Sequence, residues 1–358
     1  MRKVNTLISL ILLVSFISSV SFAKEASTED SGDLKSEIKE YINHHLLDSY
    51  DFSLYSFTNE QGEHIYRGFP LPVILWDDGL KVFSSSKFHH GETLAEIDGS
   101  YYKLYHNKIY KTNSSGDIDY AEDGHPTNIK PLDFSITKNV FTIFMVGLLM
   151  FFVFSRMAKN YKKSTLPSGV GRLLEPIVIY VRDEIAIPNI GKKKYKRYMN
   201  YLLTVFFFVW IINLLGLTPL GINVTNNIAV TLALALLTYV ITTFTANKNY
   251  WGHIFWMPGV PSLMKIVLAP IELLGTIIKP FSLMIRLYAN ITAGHIVLMS
   301  IIGLMFIFKN WVGSSLSFAL AFALGILELL VAALQAYIFT MLSALYFGAA
   351  VEEHHDDH

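Results

Sequence analysis

Cysteine is absent from this 358-residue chain, and charged side chains make up only 16% of it. The lack of thiols excludes disulfide frameworks, thiolate nucleophiles and cysteine-ligated zinc. Lysine and arginine together number 29, as do aspartate and glutamate, and this zero net charge excludes a globally basic nucleic-acid-binding protein. The sequence contains no Gly-x-x-x-x-Gly-Lys phosphate loop, so we expect no ATP chemistry from this chain alone.

The charges that are present are unevenly distributed along the chain. Residues 24–133 carry 20 acidic and 10 basic side chains, whereas residues 156–200 carry 11 basic and 3 acidic ones. Between residues 200 and 350 there are only two acidic and five basic side chains, and 52% of the whole chain is hydrophobic. Because soluble domains are about a quarter charged, this pattern predicts a membrane protein with an acidic, water-exposed N-terminal part.

Residues 1–23 have the pattern of a signal peptide. Arg2 and Lys3 precede an apolar core at residues 7–20, and Ser21-Phe22-Ala23 fits the small-x-small cleavage rule. The alternative is an uncleaved first membrane helix, but the apolar run is short for a span. We therefore expect residues 24–133 to lie outside the cytoplasm.

Residues 24–133 are predicted to form a small α+β region. Hydrophobic spacing predicts a helix over residues 33–48, and β-forming residues predict short strands within 68–88 and another strand over 101–110. Seven histidines occur here, but none has specific metal-ligand spacing. Scattered surface histidines are the simpler interpretation, and we predict no metal site.

Five hydrophobic runs predict an all-α polytopic membrane protein. The runs cover residues 140–155, with a possible start near Phe134, and residues 201–217, 228–246, 261–308 and 315–348. Each approaches or exceeds the roughly 20 residues that a bilayer needs. By the positive-inside rule, the basic stretch after the first run lies in the cytoplasm. The N-terminal region is then extracytoplasmic and the C-terminus cytoplasmic.

A further amphipathic helix is predicted within the basic stretch. Residues 171–185 place Leu173, Leu174, Ile177 and Val178 on one helical face. This helix could lie along the cytoplasmic surface of the bilayer or be an ordinary soluble amphipathic helix, and its position between two spans favours the surface.

Ionisable and amide side chains within the last two runs are the candidate functional residues. Burying a charge in a bilayer costs at least ~3 kcal/mol, so such residues indicate a function. In an antiparallel helix pair, Arg286 would lie level with Gln335, and His295 level with Glu328. Asn290 lies one turn from Arg286. An arginine that stays charged could block protons, whereas a histidine–carboxylate pair could pass them. The alternatives are a structural arginine, a structural His–Glu pair and plain interhelical hydrogen bonds.

Four sequence segments resemble subunit a of the rotary F-type ATP synthase. The most specific is PFSLMIRLYANITAGH at residues 280–295, and it is supported by LQAYIF at 334–339, NLLGLTP at 213–219 and VTLALAL at 230–236. The resemblance runs from about residue 133 to residue 353. It implies a membrane-embedded domain over residues 134–353, preceded by the extracytoplasmic region 24–133 and followed by a His/Asp-rich cytoplasmic tail at 354–358.

The resemblance also implies a role for each candidate residue. Arg286 would face the carboxylate of a rotating c-ring and separate two proton half-channels. Asn290, His295, Glu328 and Gln335 match the family's other proton-translocation positions, although the histidine and the carboxylate are exchanged relative to some members. The matching positions expected toward the cytoplasmic exit are Glu272 and Lys279.

As partners, the resemblance implies c-ring subunits, b-type peripheral stalk subunits and the rest of the F0F1 complex in a bacterial inner membrane. It implies no cofactor and no nucleic acid. Two other functions fit the residues alone. A proton-coupled secondary transporter would also bury Arg, His and Glu, but it often shows internal repeats, and the Arg286 segment is not repeated. An exported binding domain on a membrane anchor would have spans without charged residues.

Overall fold

The computed structural model describes residues 47–58, 64–91, 93–121, 124–162, 169–218, 222–257, 260–307 and 311–352. The predicted signal peptide at 1–23, residues 33–46 of the predicted first helix and the tail at 354–358 lie outside the described residues. The chain divides into two units. The first contains the described residues up to Met145 together with Leu215–Asn223 and Ile302–Ser315, and the second contains the remainder.

The described N-terminal residues form eight strands in three antiparallel sheets. The sheets pair β1 with β2, β3 with both β4 and β8, and β6 with both β5 and β7. The strands are β1 Asp51–Thr58, β2 His64–Pro70, β3 Pro72–Trp76, β4 Leu80–Ser84, β5 Ala95–Ile97, β6 Ser100–Tyr105, β7 Lys108–Thr112 and β8 Leu132–Asp133. The predicted short strands within 68–88 are present. The single strand predicted over 101–110 is instead two strands, β6 and β7, separated by a turn at His106–Asn107, and β1, β5 and β8 were not anticipated.

A small apolar core lies between these strands. Val73 and Leu75 alternate with outward residues on β3 and are fully buried, and they share a cluster with Phe88, Tyr102 and Ile109. Alternation of this kind is expected of a sheet with one face packed and the other open.

A network of ion pairs and hydrogen bonds lies at one edge of this core. The Nζ atom of Lys111 lies 2.8 Å from Oδ2 of Asp77, and the Tyr102 hydroxyl donates to the same oxygen at 2.7 Å. Lys81 donates to the Tyr102 hydroxyl at 2.9 Å and to Ser100 Oγ at 3.1 Å. The hydrogen bonds from Lys111 and Tyr102 lower the pKa of Asp77 below its usual value.

The strand region is tied to the first membrane helix by hydrogen bonds. Asp48 accepts one from the Thr137 hydroxyl at 2.8 Å and one from the backbone N–H of Asn139 at 3.1 Å. The backbone N–H of Lys138 donates to the Ser49 carbonyl at 2.8 Å. The carboxylate thus satisfies one of the otherwise unpaired N–H groups at the start of the helix.

The described residues that follow form eight α-helices, and five of these are long and apolar enough to cross a membrane. The five are α1 Lys138–Tyr161, α4 Tyr195–Gly216, α5 Ile228–Thr245, α7 Ser262–Ile307 and α8 Trp311–Val351. The prediction of five spans is confirmed. The first begins at Lys138 rather than near Phe134, because the Phe134 N–H donates to the Ile74 carbonyl and prolongs the β8 pairing.

The amphipathic segment between α1 and α4 is helical throughout its predicted range and slightly beyond. It consists of α2 Gly171–Tyr180, a π-helical turn Val181–Ala186 and α3 Ile187–Ile190. The segment ends at Gly191, whose φ of 90° is suited to glycine. The remaining short helix, α6 Lys248–Phe255, was not predicted.

Helices α7 and α8 are far longer than a bilayer requires. At about 1.5 Å per residue, the 46 residues of α7 extend roughly 69 Å, about twice the hydrocarbon thickness. A helix of this length must tilt, bend or extend beyond the hydrocarbon layer.

Candidate functional site

Two pairs of polar side chains fix the register of α7 against α8. Asn290 on α7 donates from Nδ2 to Oε1 of Gln335 at 2.9 Å. Nδ1 of His295 lies 3.2 Å from Oε1 of Glu328. Residue numbers rise on one helix as they fall on the other, so the two helices are antiparallel, as the sequence analysis assumed.

The His295–Glu328 pair is enclosed in protein. The two residues are only 4% and 5% exposed. Within the described part of the chain, neither carboxylate oxygen of Glu328 has a hydrogen-bond partner of good geometry. A buried carboxylate in this situation is costly unless it is paired or protonated, so the pair is suited to share or exchange a proton.

Gly294 allows this close approach. A Cβ atom at that position would lie 3.0 Å from Oε1 and 3.5 Å from Cδ of Glu328. A side chain there would therefore push the carboxylate away by a few tenths of an ångström. The sequence showed a glycine beside His295 but gave no sign that the glycine touches the opposite helix.

The Asn290–Gln335 pair lies at the edge of an uncovered helix face. Gln335 is 2% exposed, whereas Asn290 is exposed and Arg286 is partly exposed. Gln335 was predicted to lie level with Arg286, but its hydrogen bond reaches one turn further, to Asn290. Arg286 therefore lies beyond this pair, on the side away from His295.

The uncovered face combines small and aliphatic residues with these polar groups. Exposed residues of α7 on this face are Ile285, Ala289, Asn290 and Ala293. Exposed leucines on α8 include Leu327, Leu330 and Leu334. Small residues permit close approach of another membrane helix, so this face can pack against helices of a partner as well as against lipid.

Further polar groups lie near His295, and the sequence analysis missed them. The Thr292 hydroxyl donates to a side-chain oxygen of Asn226, which belongs to the short 3-10 turn Val224–Asn226. Thr225 in the same turn donates to the buried Asn213 at 3.0 Å. The signal was the run INVTNN at residues 222–227, because a polar stretch between two spans can fold back against them.

Lys279 lines a different pocket, between α5, α6, α7 and α8. Polar lining residues are Thr238, Thr242, Tyr250, Thr276 and Lys279, and the Lys279 ammonium lies 5.7 Å from the Tyr346 ring centre. Burial is the main cause that raises the pKa of Tyr250, and the nearby Glu272 carboxylate adds to it. Glu272 and Lys279 therefore both lie near Tyr250.

Among the described residues, no group of three or more His, Asp or Glu side chains could hold a metal ion.

Comparison with known proteins gives two matches to protein families. Residues 140–348 match the family described as ATP synthase A chain, and residues 41–134 match a domain of unknown function (DUF8433). The first match covers α1 to α8 almost completely, and the second covers the strand region.

Individual relatives cover much of the chain. It is 38% identical over 262 residues to ATP synthase subunit a of Chloroherpeton thalassium, covering 67% of this chain and 77% of that protein. It is 43% identical over 235 residues to the same subunit of Myxococcus xanthus, and this match covers 63% of this chain and 77% of that protein. It is 40% identical over 282 residues to ATP synthase subunit a of Pelodictyon phaeoclathratiforme, and this match covers 75% of this chain and 80% of that protein.

Proposed function

This chain belongs to the ATP synthase subunit a family, and we propose that its α7–α8 pair forms two proton half-channels separated by Arg286. The observation that carries the proposal is the placement of polar groups along this pair. A buried His–Glu pair lies on one side of the Asn290–Gln335 hydrogen bond, and Arg286 lies on the other.

The first half-channel begins at His295 and Glu328. A proton that enters from outside the cytoplasm can be held between the imidazole and the carboxylate, which lie 3.2 Å apart. The groups around Thr292 and Asn226 supply further hydrogen-bonding positions at this end. From the His–Glu pair, the proton passes toward Asn290 at the uncovered face and loads a carboxylate of the c-ring.

Arg286 acts as an electrostatic gate rather than as a proton carrier. A guanidinium does not lose its proton at ordinary pH, so it cannot pass a proton between the half-channels. Its positive charge favours the ionised form of a ring carboxylate that comes near it. A ring site must therefore release its proton before it passes Arg286, and this makes proton flow depend on rotation.

The second half-channel leads from the ring toward Lys279 and Glu272. Their pocket with Thr238, Thr242 and Tyr250 contains hydroxyl groups that can carry protons or water. We place this pocket on the cytoplasmic side, since Lys248 and the basic stretch before α4 belong on that side by the positive-inside rule.

Membership of the family makes the chain a non-catalytic component of the F0F1 complex and a multi-pass membrane protein. We assign the uncovered α7–α8 face to the c-ring and other exposed faces to lipid and to b-type stalk subunits. We assign residues 24–133 to the outside of the cytoplasm and residues 134–353 to the membrane domain. Family membership decides against the transporter and anchor alternatives.

The proposal is tested by replacing Arg286 in the assembled complex. Arg286→Ala should abolish proton-driven ATP synthesis in sealed vesicles while the complex still assembles. Lys265→Ala, which removes a charge elsewhere on α7, is the matched control and should leave synthesis close to that of the parent. Intact synthesis in Arg286→Ala would disprove the proposed gate.

A further inference from the structure

The three-stranded sheet β4-β3-β8 has an apolar outer face. Burial alternates along β3 and β4, so Val73, Leu75 and Phe83 point into the core and their neighbours point outward. Beyond the outward pair Pro72–Ser84, the strand pairing places six outward residues in two rows across the sheet. One row is Leu80–Trp76–Leu132 and the other is Val82–Ile74–Phe134. We call these six residues the outer apolar face.

This face is unusually apolar for a water-exposed surface. Trp76 is 54% exposed, Leu132 63% and Phe134 64%, with Leu80 and Val82 similarly open. All six members are apolar, whereas the outer face of a solvated antiparallel sheet normally carries polar residues. Contiguous exposed apolar groups of this kind mark an interaction surface.

The face is held close to the point where the chain enters the membrane. Phe134 lies four residues before Lys138, where α1 begins, and an extended chain covers only about 13 Å over that length. Phe52 and Phe69 of the strand region also pack against Phe141, in the first turn of α1, with ring centres 5.4 Å away in both cases. Together with the Asp48 hydrogen bonds, these contacts fix the strand region to the top of a membrane helix.

We propose that the outer apolar face lies in the lipid interface of the bilayer, on the side where α1 begins. Tryptophan and phenylalanine beside aliphatic residues suit this zone, where side chains can bury apolar surface at headgroup level. The occupant is therefore lipid, and the strand region binds the membrane surface beside α1.

The attraction is hydrophobic rather than electrostatic. Residues 24–133 carry twice as many acidic as basic side chains, so negatively charged lipid would repel the region as a whole. The face itself contributes no charged side chain in either row. We therefore expect the contact to form equally well on neutral phosphatidylcholine and to be insensitive to salt.

The chain suits a site-specific test because it contains no natural cysteine. Val82→Cys and Leu80→Cys, each labelled with the fluorophore NBD, would be assembled into the full complex in phosphatidylcholine vesicles. Lys108→Cys is the control, since it is an exposed residue of the same strand region that lies outside the outer apolar face. Two quenchers are compared: iodide in the water and a nitroxide attached near the headgroup of the lipid.

The proposal predicts that nitroxide lipid quenches the labels at residues 80 and 82 several-fold more than the label at 108. Iodide should show the reverse order, and 1 M salt should change neither result. Strong iodide quenching at residues 80 and 82 would overturn the proposal by showing a face open to water. Protection from both quenchers would also overturn it, because a protein would then cover the face.

Discussion

Nδ1 of His295 on α7 lies 3.2 Å from Oε1 of Glu328 on α8, with both side chains almost fully buried. The contact brings together two titratable groups that are 33 residues apart in the chain. Because each is flanked by apolar helix, an unpaired charge on either side chain would be costly there. The pair gives this family member a place where a proton can be held inside the membrane domain.

The first prediction concerns exchange of the two groups. His295→Glu alone places two carboxylates together, and Glu328→His alone places two imidazoles together, so each single variant should lose about tenfold or more of proton pumping. The double variant restores one acid and one imidazole and should recover most of the loss. ATP-driven proton uptake into inverted vesicles measures all three.

The amount of assembled complex in each vesicle preparation serves as the control for the exchange series. A double variant that pumps no better than either single variant would show that the pair has no shared proton. Parent-like pumping in both single variants would show that the pair is outside the proton path.

The second prediction concerns Gly294, where an added Cβ would lie 3.0 Å from the Glu328 carboxylate. Gly294→Ala should slow proton pumping severalfold because it displaces that carboxylate from His295. Adding Glu328→Asp, which shortens the side chain, should restore part of the rate. Gly325→Ala is the matched control, since a Cβ atom at that helical glycine meets nothing within 4 Å. Equal effects of the two alanines would contradict the steric explanation.

The sequence predicted the helices far better than the contacts between them. Apolar runs such as those that became α4 and α5 specify spans, because the bilayer imposes the length and the internal hydrogen bonding. Counting residues along two antiparallel helices predicted the His295–Glu328 pair correctly. It placed Gln335 beside Arg286, one turn from its observed partner Asn290. Residue counting along two ideal helices cannot resolve a difference of one turn.

The strand region was harder to predict for a different reason. Strand β8 is held by a distant partner, with Asp133 opposite Leu75, and β5 has only three residues, so their local sequences carry little signal. Gly294 and Gly348 were equally hidden, because a glycine that allows close approach looks like any other until the opposing atom is known.

The third prediction concerns acid stability of the strand region. The hydrogen bonds from Lys111 and Tyr102 lower the pKa of Asp77. The stability that these bonds give the fold is therefore fully present above the usual carboxyl pKa and is lost as the pH falls through the lowered pKa. Amide exchange of β6, corrected for its intrinsic pH dependence, should therefore lose protection below about pH 4.

Asp77→Asn should remove this pH dependence and cost roughly 1.5–3 kcal/mol at neutral pH, the range for a hydrogen bond to a charged group. Asp98→Asn is the control, because Asp98 is exposed and asparagine tolerates its positive φ of 50°. An acid transition that persists unchanged in Asp77→Asn would place the responsible group elsewhere.

The fourth prediction concerns the packing of the end of α8 against α3. A Cβ atom on Gly348 would lie 1.9 Å from the backbone carbonyl oxygen of Asn189, and backbone cannot move as easily as a side chain. Gly348→Ala should destabilise the membrane domain by about 1–3 kcal/mol or more. Thermal aggregation of the purified complex measures the effect, and Ala349→Gly is a neighbouring control at an exposed position. An unchanged midpoint in Gly348→Ala would contradict this close contact.

The account's central claim is that the face carrying Arg286 and Asn290 meets the rotating c-ring. The most direct test attaches a benzophenone to Asn290→Cys or Ile285→Cys in the assembled complex and identifies the protein captured on illumination. Phe244→Cys on α5 is the control, since Phe244 is 84% exposed and lies outside the α7–α8 face that we assign to the c-ring. The account predicts capture of the small c-ring subunit from residues 285 and 290 but not from 244. Capture of lipid alone at residues 285 and 290, in a complex that retains its c-ring, would contradict it.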